Sequence, residues 1–173
     1  TADFDYMRGA DSSFYNEGAI IKGDSVQTSS GKVATQRLGG VLLWEDIPFA
    51  LPPIKDLRWK APRENINPNS IIIPKENNFC HQEVGGEIQE IYETGSEDCL
   101  YLDIRAPHSA RDNLPVMFWI HGGGNTSGHK DFYDFSELVK RKDVIVVSIN
   151  YRLGPLGFFT HPAIQDFNSG LDE

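Results

Sequence analysis

With 173 residues, 39% of them hydrophobic, 11% aromatic and 24% charged, the chain is long enough to bury a core and reads as globular. A formal net charge of -9 excludes a nucleic-acid partner, which needs clustered Lys and Arg against phosphates, and assigns the acidic balance to solubility. No apolar run reaches the length of a membrane-spanning helix, so no span is expected.

The chain starts at Thr1, not Met, as a removed signal peptide or a trimmed sequence would leave it. In chain order, the first quarter reads as short strands joined by tight turns. Ala19 to Ile21 and Val26 to Thr28 precede the turn signal SSGK, and Val33 to Leu38 and Val41 to Trp44 follow it. Ile47 to Arg63 holds four of the ten prolines and predicts an ordered but irregular connection. Ile71 to Pro74 is a brief strand candidate, and Glu76 to Asp98 reads as a polar loop bracketed by the two cysteines, Cys80 and Cys99. Those two are either a bridge or a pair of buried thiols. A bridge would contribute about 3 kcal/mol in the chain-entropy model and point to an oxidising compartment.

After Cys99 the character changes. Leu100 to Arg105, Val116 to Ile120 and Val144 to Ile149 are apolar runs without alternation, as expected of strands covered on both faces. Between the last two, DFYDFSELVKRKD predicts a short helix with Ser136 as candidate cap and basic residues towards its end. Strand, glycine loop, helix and strand predict a right-handed crossover in an α/β sheet.

The stretch FWIHGGGNTSG, Phe118 to Gly128, sets three glycines directly after a strand, each costing conformational entropy and offering nothing to pack. A phosphate loop fails because His129 stands where its lysine belongs, and a dinucleotide fingerprint fails because Ser127 occupies its third glycine position. A plain glycine turn that only reverses the chain is the bland alternative. An oxyanion hole is the third reading. An ester carbonyl becomes an alkoxide during acyl transfer, and stabilising it needs backbone N–H groups converging in a tight turn with no β-carbons in the way. An HGGG loop after a strand is the form this takes in α/β-hydrolases, and that context favours the third reading.

With these residues in view, the chain resembles the N-terminal part of the type-B carboxylesterase family, which includes the cholinesterases. WEDIPFALPPIKDLRW is similar to the family's proline-rich segment and SEDCLYLDI to its most distinctive signature. PVMFWIHGGGNTSG is similar to its strand and oxyanion loop, and VIVVSINYRLGPLGFF to the next strand and turn. The resemblance implies an α/β fold, the first part of an α/β-hydrolase, with a small antiparallel N-terminal sheet leading into a central mixed sheet. It implies Gly123 and Gly124 as oxyanion donors, with Gly122 and His121 shaping the loop. It implies a Cys80–Cys99 disulfide and two structural ion pairs, Arg58 with Glu97 and Arg152 with Asp172.

Departures stand beside it. Asp46 and Lys55 replace family glycines, so the turns there are expected to differ, and Asn125 replaces an aromatic residue after the glycines. The sequon at Asn125 reads as a chance match, because a glycan would sit in the active-site loop. The elbow Gly-x-Ser-x-Gly occurs nowhere in the 173 residues. None of His81, His108, His121, His129 and His161 corresponds to the family's catalytic histidine, and Ser127 and Ser148 lack the elbow context. No histidine pair has zinc-site spacing, so neither metal nor cofactor is expected.

The resemblance therefore implies residues 1–173 as an incomplete domain of a carboxylesterase. The serine, the acid and the histidine would lie beyond residue 173 or on another chain, and the segment alone would be inactive. The expected partners are a small ester substrate and the C-terminal remainder of the same protein, retained after nicking near Glu173. The expected location is secreted, periplasmic or otherwise oxidising. The alternative is a non-catalytic, cholinesterase-like adhesion domain.

Overall fold

The computed structural model describes residues 24–76, 78–84, 92–108 and 113–164. The strand expected at Ala19 to Ile21 and the residue Asp172 lie outside them. β1 (Ser25–Thr28) and β2 (Gly31–Ala34) form an antiparallel hairpin, which the two-residue strand β5 (Ile71–Ile72) joins in parallel. β3 (Gln36–Leu38) and β4 (Val41–Pro48) begin the central sheet. The run Val33 to Leu38 breaks at Thr35, where the chain changes sheets. The Thr35 N–H stays with Asp24 O (3.0 Å), while its hydroxyl accepts from the Trp44 indole (2.9 Å). Gly39 and Gly40, at φ +53° and +88°, close the two-residue turn between β3 and β4, which demands left-handed backbone at both positions.

The segment read as a polar loop contains a second hairpin, β6 (Gln82–Val84) with β7 (Tyr92–Thr94), extended by a bridge between Cys80 and Ser96. Two strands of three residues each, QEV and YET, are too short to show a periodicity in the sequence.

β8 (Tyr101–Pro107), β9 (Val116–Ile120) and β10 (Ile145–Ile149) complete a five-stranded sheet in the order β3-β4-β8-β10-β9. β9 and β10 run parallel, joined through α1 (Ser136–Lys142), and the other pairings are antiparallel. Ser136 is not the cap of α1 but its first helical residue. Its N–H donates to Asp134 Oδ1 at 2.9 Å, so Asp134 does the capping work from one residue before the N-cap position, Phe135. Val139 of α1 packs between Val41 and Val146, with Met117 of β9 beside them. The other face of β9 is not covered: Val116, Phe118 and Ile120 are 62%, 56% and 60% exposed. A run without alternation signals two apolar faces, but burial also needs a layer above, and no described element supplies one.

β4 carries a β-bulge. Trp44 pairs with Ile104 and Ile47 with Leu102, so Glu45 and Asp46 together oppose Asp103. Asp46 sits there at φ +56°, and Lys55 likewise at +52°. Both positions take up left-handed backbone, the conformation that favours glycine. The bulge brings the Asp46 N–H to Asp103 Oδ1 (2.9 Å) and aims both carboxylates at Lys130, whose Nζ lies 3.0 Å from each and 2.8 Å from Asp131. Lys130, Asp46 and Asp103 are all buried.

Burial works against the Lys130 charge, but Asp103, Asp131 and Asp46 together raise its pKa above the ordinary lysine value. Burial pushes the Asp103 carboxyl well above the usual range, against the pull of Lys130. Burial raises Asp131 too, but Lys130 and its hydrogen bonds outweigh that and hold it low. Replacing Lys130 with Met removes the counter-ion from three carboxylates and is expected to destabilise the full-length protein by about 3–5 kcal/mol in chemical denaturation. Asp46→Asn should cost less, because Asp103 and Asp131 still hold the ammonium. A Lys130→Met loss under about 1 kcal/mol would show the cluster to be no more than a surface-grade ion pair.

Candidate functional site

β9 ends at Ile120 and delivers His121 to the rim of the sheet, beside Tyr151, which follows the neighbouring β10. The two rings stack with centroids 4.2 Å apart and planes 18° from parallel, and the Tyr151 hydroxyl donates to His121 O at 2.8 Å. His121 Nδ1 in turn lies 2.8 Å from the carbonyl of Gly122, the donor in the neutral tautomer that satisfies this contact. Burial lowers the His121 pKa, with the Gly122 carbonyl opposing in part, so the ring is neutral and engaged with the loop.

The loop then turns on the carbonyl of Gly123, which accepts from the N–H groups of Thr126 and Ser127, both at 3.1 Å. Gly123 (φ +113°) has no room for a side chain, since a Cβ would stand 2.0 Å from Ser127 O. Gly122 differs: its backbone is not left-handed, and a Cβ there would meet nothing within 4 Å. Gly123 and Gly124 are exposed residues, and neither amide donates to another described residue.

Three anchors from outside hold the loop. Gly154 N–H, at the start of α2 (Gly154–Phe158), donates to Asn125 O at 2.7 Å. Lys130 N–H donates to Asn150 Oδ1 at 2.8 Å. The buried Gln82 amide grips Gly128 at both backbone groups: Gly128 N–H donates to Oε1 (2.9 Å), and Nε2 donates to Gly128 O (3.1 Å).

The other predicted residues gather in a second cluster. Cys80 and Cys99 are joined by a disulfide, and Arg58 meets Glu97 in a two-point contact, Nε to Oε2 and Nη2 to Oε1, each 2.6 Å. Arg152 lines the same small recess as these four. Its expected partner Asp172 is not among the described residues. Among the described residues no group of His, Cys, Asp or Glu is arranged to hold a metal, and no helix is long and apolar enough to cross a membrane.

Sequence reasoning missed Gln82, Tyr151, Asn150 and the Lys130 cluster as parts of the site. Asp46 stood out as a replaced glycine, a signal whose meaning needed its partner. Tyr151 and Asn150 lay within a quoted motif without a role. Gln82 left no signal beyond its closeness to Cys80.

Residues 22–171 match the family model described as the carboxylesterase family. The chain is 39% identical over 155 residues to a para-nitrobenzyl esterase of Bacillus subtilis, covering 86% of this chain and 31% of that protein. It is 41% identical over 145 residues to a fumonisin B1 esterase of Sphingopyxis macrogoltabida (80% and 26% covered). To a cholinesterase of Mus musculus it is 37% identical over 163 residues (84% and 27% covered). Among solved structures, a thermophilic PNB esterase superposes with a TM-score of 0.70 at 36% identity, over 81% of this chain and 30% of that one. The chain thus spans under a third of the length of each of these proteins.

Two histidines flank the loop, and burial lowers both pKa values from the ordinary 6.5. Below 6.5 the unfolded chain therefore binds protons that the folded one refuses, so stability falls on acidification until the folded-state values are passed. The slope is at most about 1.4 kcal/mol per pH unit for each histidine. His129 Nδ1 accepts from Asp131 N–H at 3.2 Å, a bond that protonation at Nδ1 would remove. His129→Gln is expected to flatten the fall in stability below pH 6.5, measured by denaturant titration. Parallel profiles for parent and variant would contradict this.

Proposed function

The chain belongs to the carboxylesterase family and folds as the N-terminal part of an α/β-hydrolase, and on that premise we propose that it supplies the oxyanion hole of a carboxylic-ester hydrolase. The observation that carries this reading is the pair of N–H groups of the exposed Gly123 and Gly124, which donate to no described residue, in a loop whose other limbs are tied down. Donors fixed before the reaction stabilise a developing alkoxide without reorganising. A serine from the remainder of the protein adds to the ester carbonyl carbon, giving up its proton to a histidine. The carbonyl oxygen takes the negative charge and is held by the two amides. Collapse of the adduct expels the alcohol, which takes the proton back, and water then hydrolyses the acyl-enzyme. His121 does not serve as the base: with Nδ1 donating to Gly122 O its lone pair lies on Nε2, which is buried in the protein with the ring stacked on Tyr151.

Residues 1–173 form an incomplete domain in this reading, inactive alone, with serine, acid and histidine supplied by the C-terminal remainder. The bare face of β9 at Val116, Phe118 and Ile120 supports such a covering partner. The disulfide fits a secreted or periplasmic enzyme. No observation favours the adhesion-domain alternative, which would have no use for free loop donors.

Three experiments test the proposal. The full-length protein should hydrolyse a p-nitrophenyl ester and take up one phosphonate on a serine outside this chain. Gly122→Ala should melt with the parent but lose about 10²-fold in kcat/KM, because its methyl group stands in the space beside the donors. No phosphonate labelling, or a fully active variant, would end the reading. In native and then denaturing mass spectrometry, protein nicked near residue 173 should remain one complex and then release two polypeptides; separation of the pieces under native conditions would rule out stable association.

A further inference from the structure

The two clusters of the site, the cross-linked recess and the glycine loop, touch through one side chain. Gln82 lies two residues beyond Cys80, and its Nε2 donates to Cys80 O at 3.0 Å as well as to Gly128 O. With Oε1 under the Gly128 N–H, the amide makes three hydrogen bonds, all to backbone and all buried. Opposed bonds to the N–H and C=O of one residue fix its rotation about the chain, as a ladder pair does between antiparallel strands.

Gly128 transmits that constraint. It sits at φ +112°, so close to the start of the loop that a Cβ would stand 2.4 Å from His121 Nδ1 and 2.7 Å from Gly122 O. Whatever fixes Gly128 therefore fixes the two groups immediately before the donors. The frame behind Gln82 is stiff, because Cys80 is bridged to Cys99 and hydrogen-bonded through its neighbours to Ser96.

Resting on the reading of Gly123 and Gly124 as oxyanion donors, we propose that Gln82 is a positioning residue. Its amide clamps Gly128 to the Cys80–Cys99 frame and so sets the placement of the donors for the transition state. It touches neither substrate nor reacting atoms. Its effect belongs to the charged adduct, not to ground-state binding, which separates it from a merely structural role.

The test uses the full-length protein with Gln82→Met, which keeps length and removes every hydrogen bond, and Gln82→Glu, which keeps the acceptor under Gly128. The probes are a p-nitrophenyl ester and an aryl trifluoromethyl ketone, which forms an oxyanionic adduct with serine. In Gln82→Met kcat should fall about tenfold to a hundredfold with KM within about threefold, and ketone affinity should fall in parallel with kcat/KM. Gln82→Glu should show the same pattern. A folded variant with unchanged kcat, or one whose loss lies in KM with ketone affinity unchanged, would overturn the proposal. So would failure of both variants to fold, since a positioning residue is dispensable for the fold. A parent protein that neither turns over the ester nor binds the ketone would instead overturn the esterase reading on which the proposal stands.

Discussion

The buried ammonium of Lys130 is the constraint on which the rest of the site depends. An isolated charge there would be prohibitive, so three carboxylates must converge on it, and they come from β4, β8 and the loop itself. Convergence requires the bulge at Glu45 and Asp46, because only an extra residue opposite Asp103 brings a second carboxylate to the same side. The left-handed backbone of Asp46 is strained for a residue with a side chain. Its hydrogen bonds from Lys75 N–H (2.8 Å) and from the Asn78 amide, together with Lys130, offset that strain. The glycine loop thus leaves the sheet at β9 and ends on a residue locked to β4 and β8.

Between those ends the glycines play different parts. Gly123 and Gly128 are glycines because their surroundings leave no room for a methyl group. Gly122 has room and ordinary backbone, so nothing in the described structure requires it to be bare. The anchoring follows the same division: carbonyls and flanking amides are bonded to Tyr151, Gly154, Asn150 and Gln82, while the amides of Gly123 and Gly124 donate to no described residue.

The exposed face of β9 belongs to the same picture. Met117 is packed inwards against α1, whereas Val116, Phe118 and Ile120 carry large apolar side chains into the open. A strand built with two apolar faces is meant for the interior of a layered sheet. The chain spans under a third of the length of its relatives, and no described element covers this face.

The sequence by itself determined what depends on neighbours along the chain. The bounds of β9 and the helix ending in Lys and Arg follow from local periodicity, and the glycine run after His121 follows from backbone freedom. The family resemblance added the pairing of Cys80 with Cys99 and of Arg58 with Glu97, which spacing alone left open. Tertiary structure alone decided the rest. Asp46 meets Asp103 across 57 positions and Gln82 meets Gly128 across 46, and no periodicity connects residues that far apart. Lys130 is one more basic residue in sequence, since its meaning comes from the dielectric around it and the carboxylates that surround it. Burial and partnership are properties of the packed chain, and they turned a polar loop into a clamp and a replaced glycine into a counter-ion.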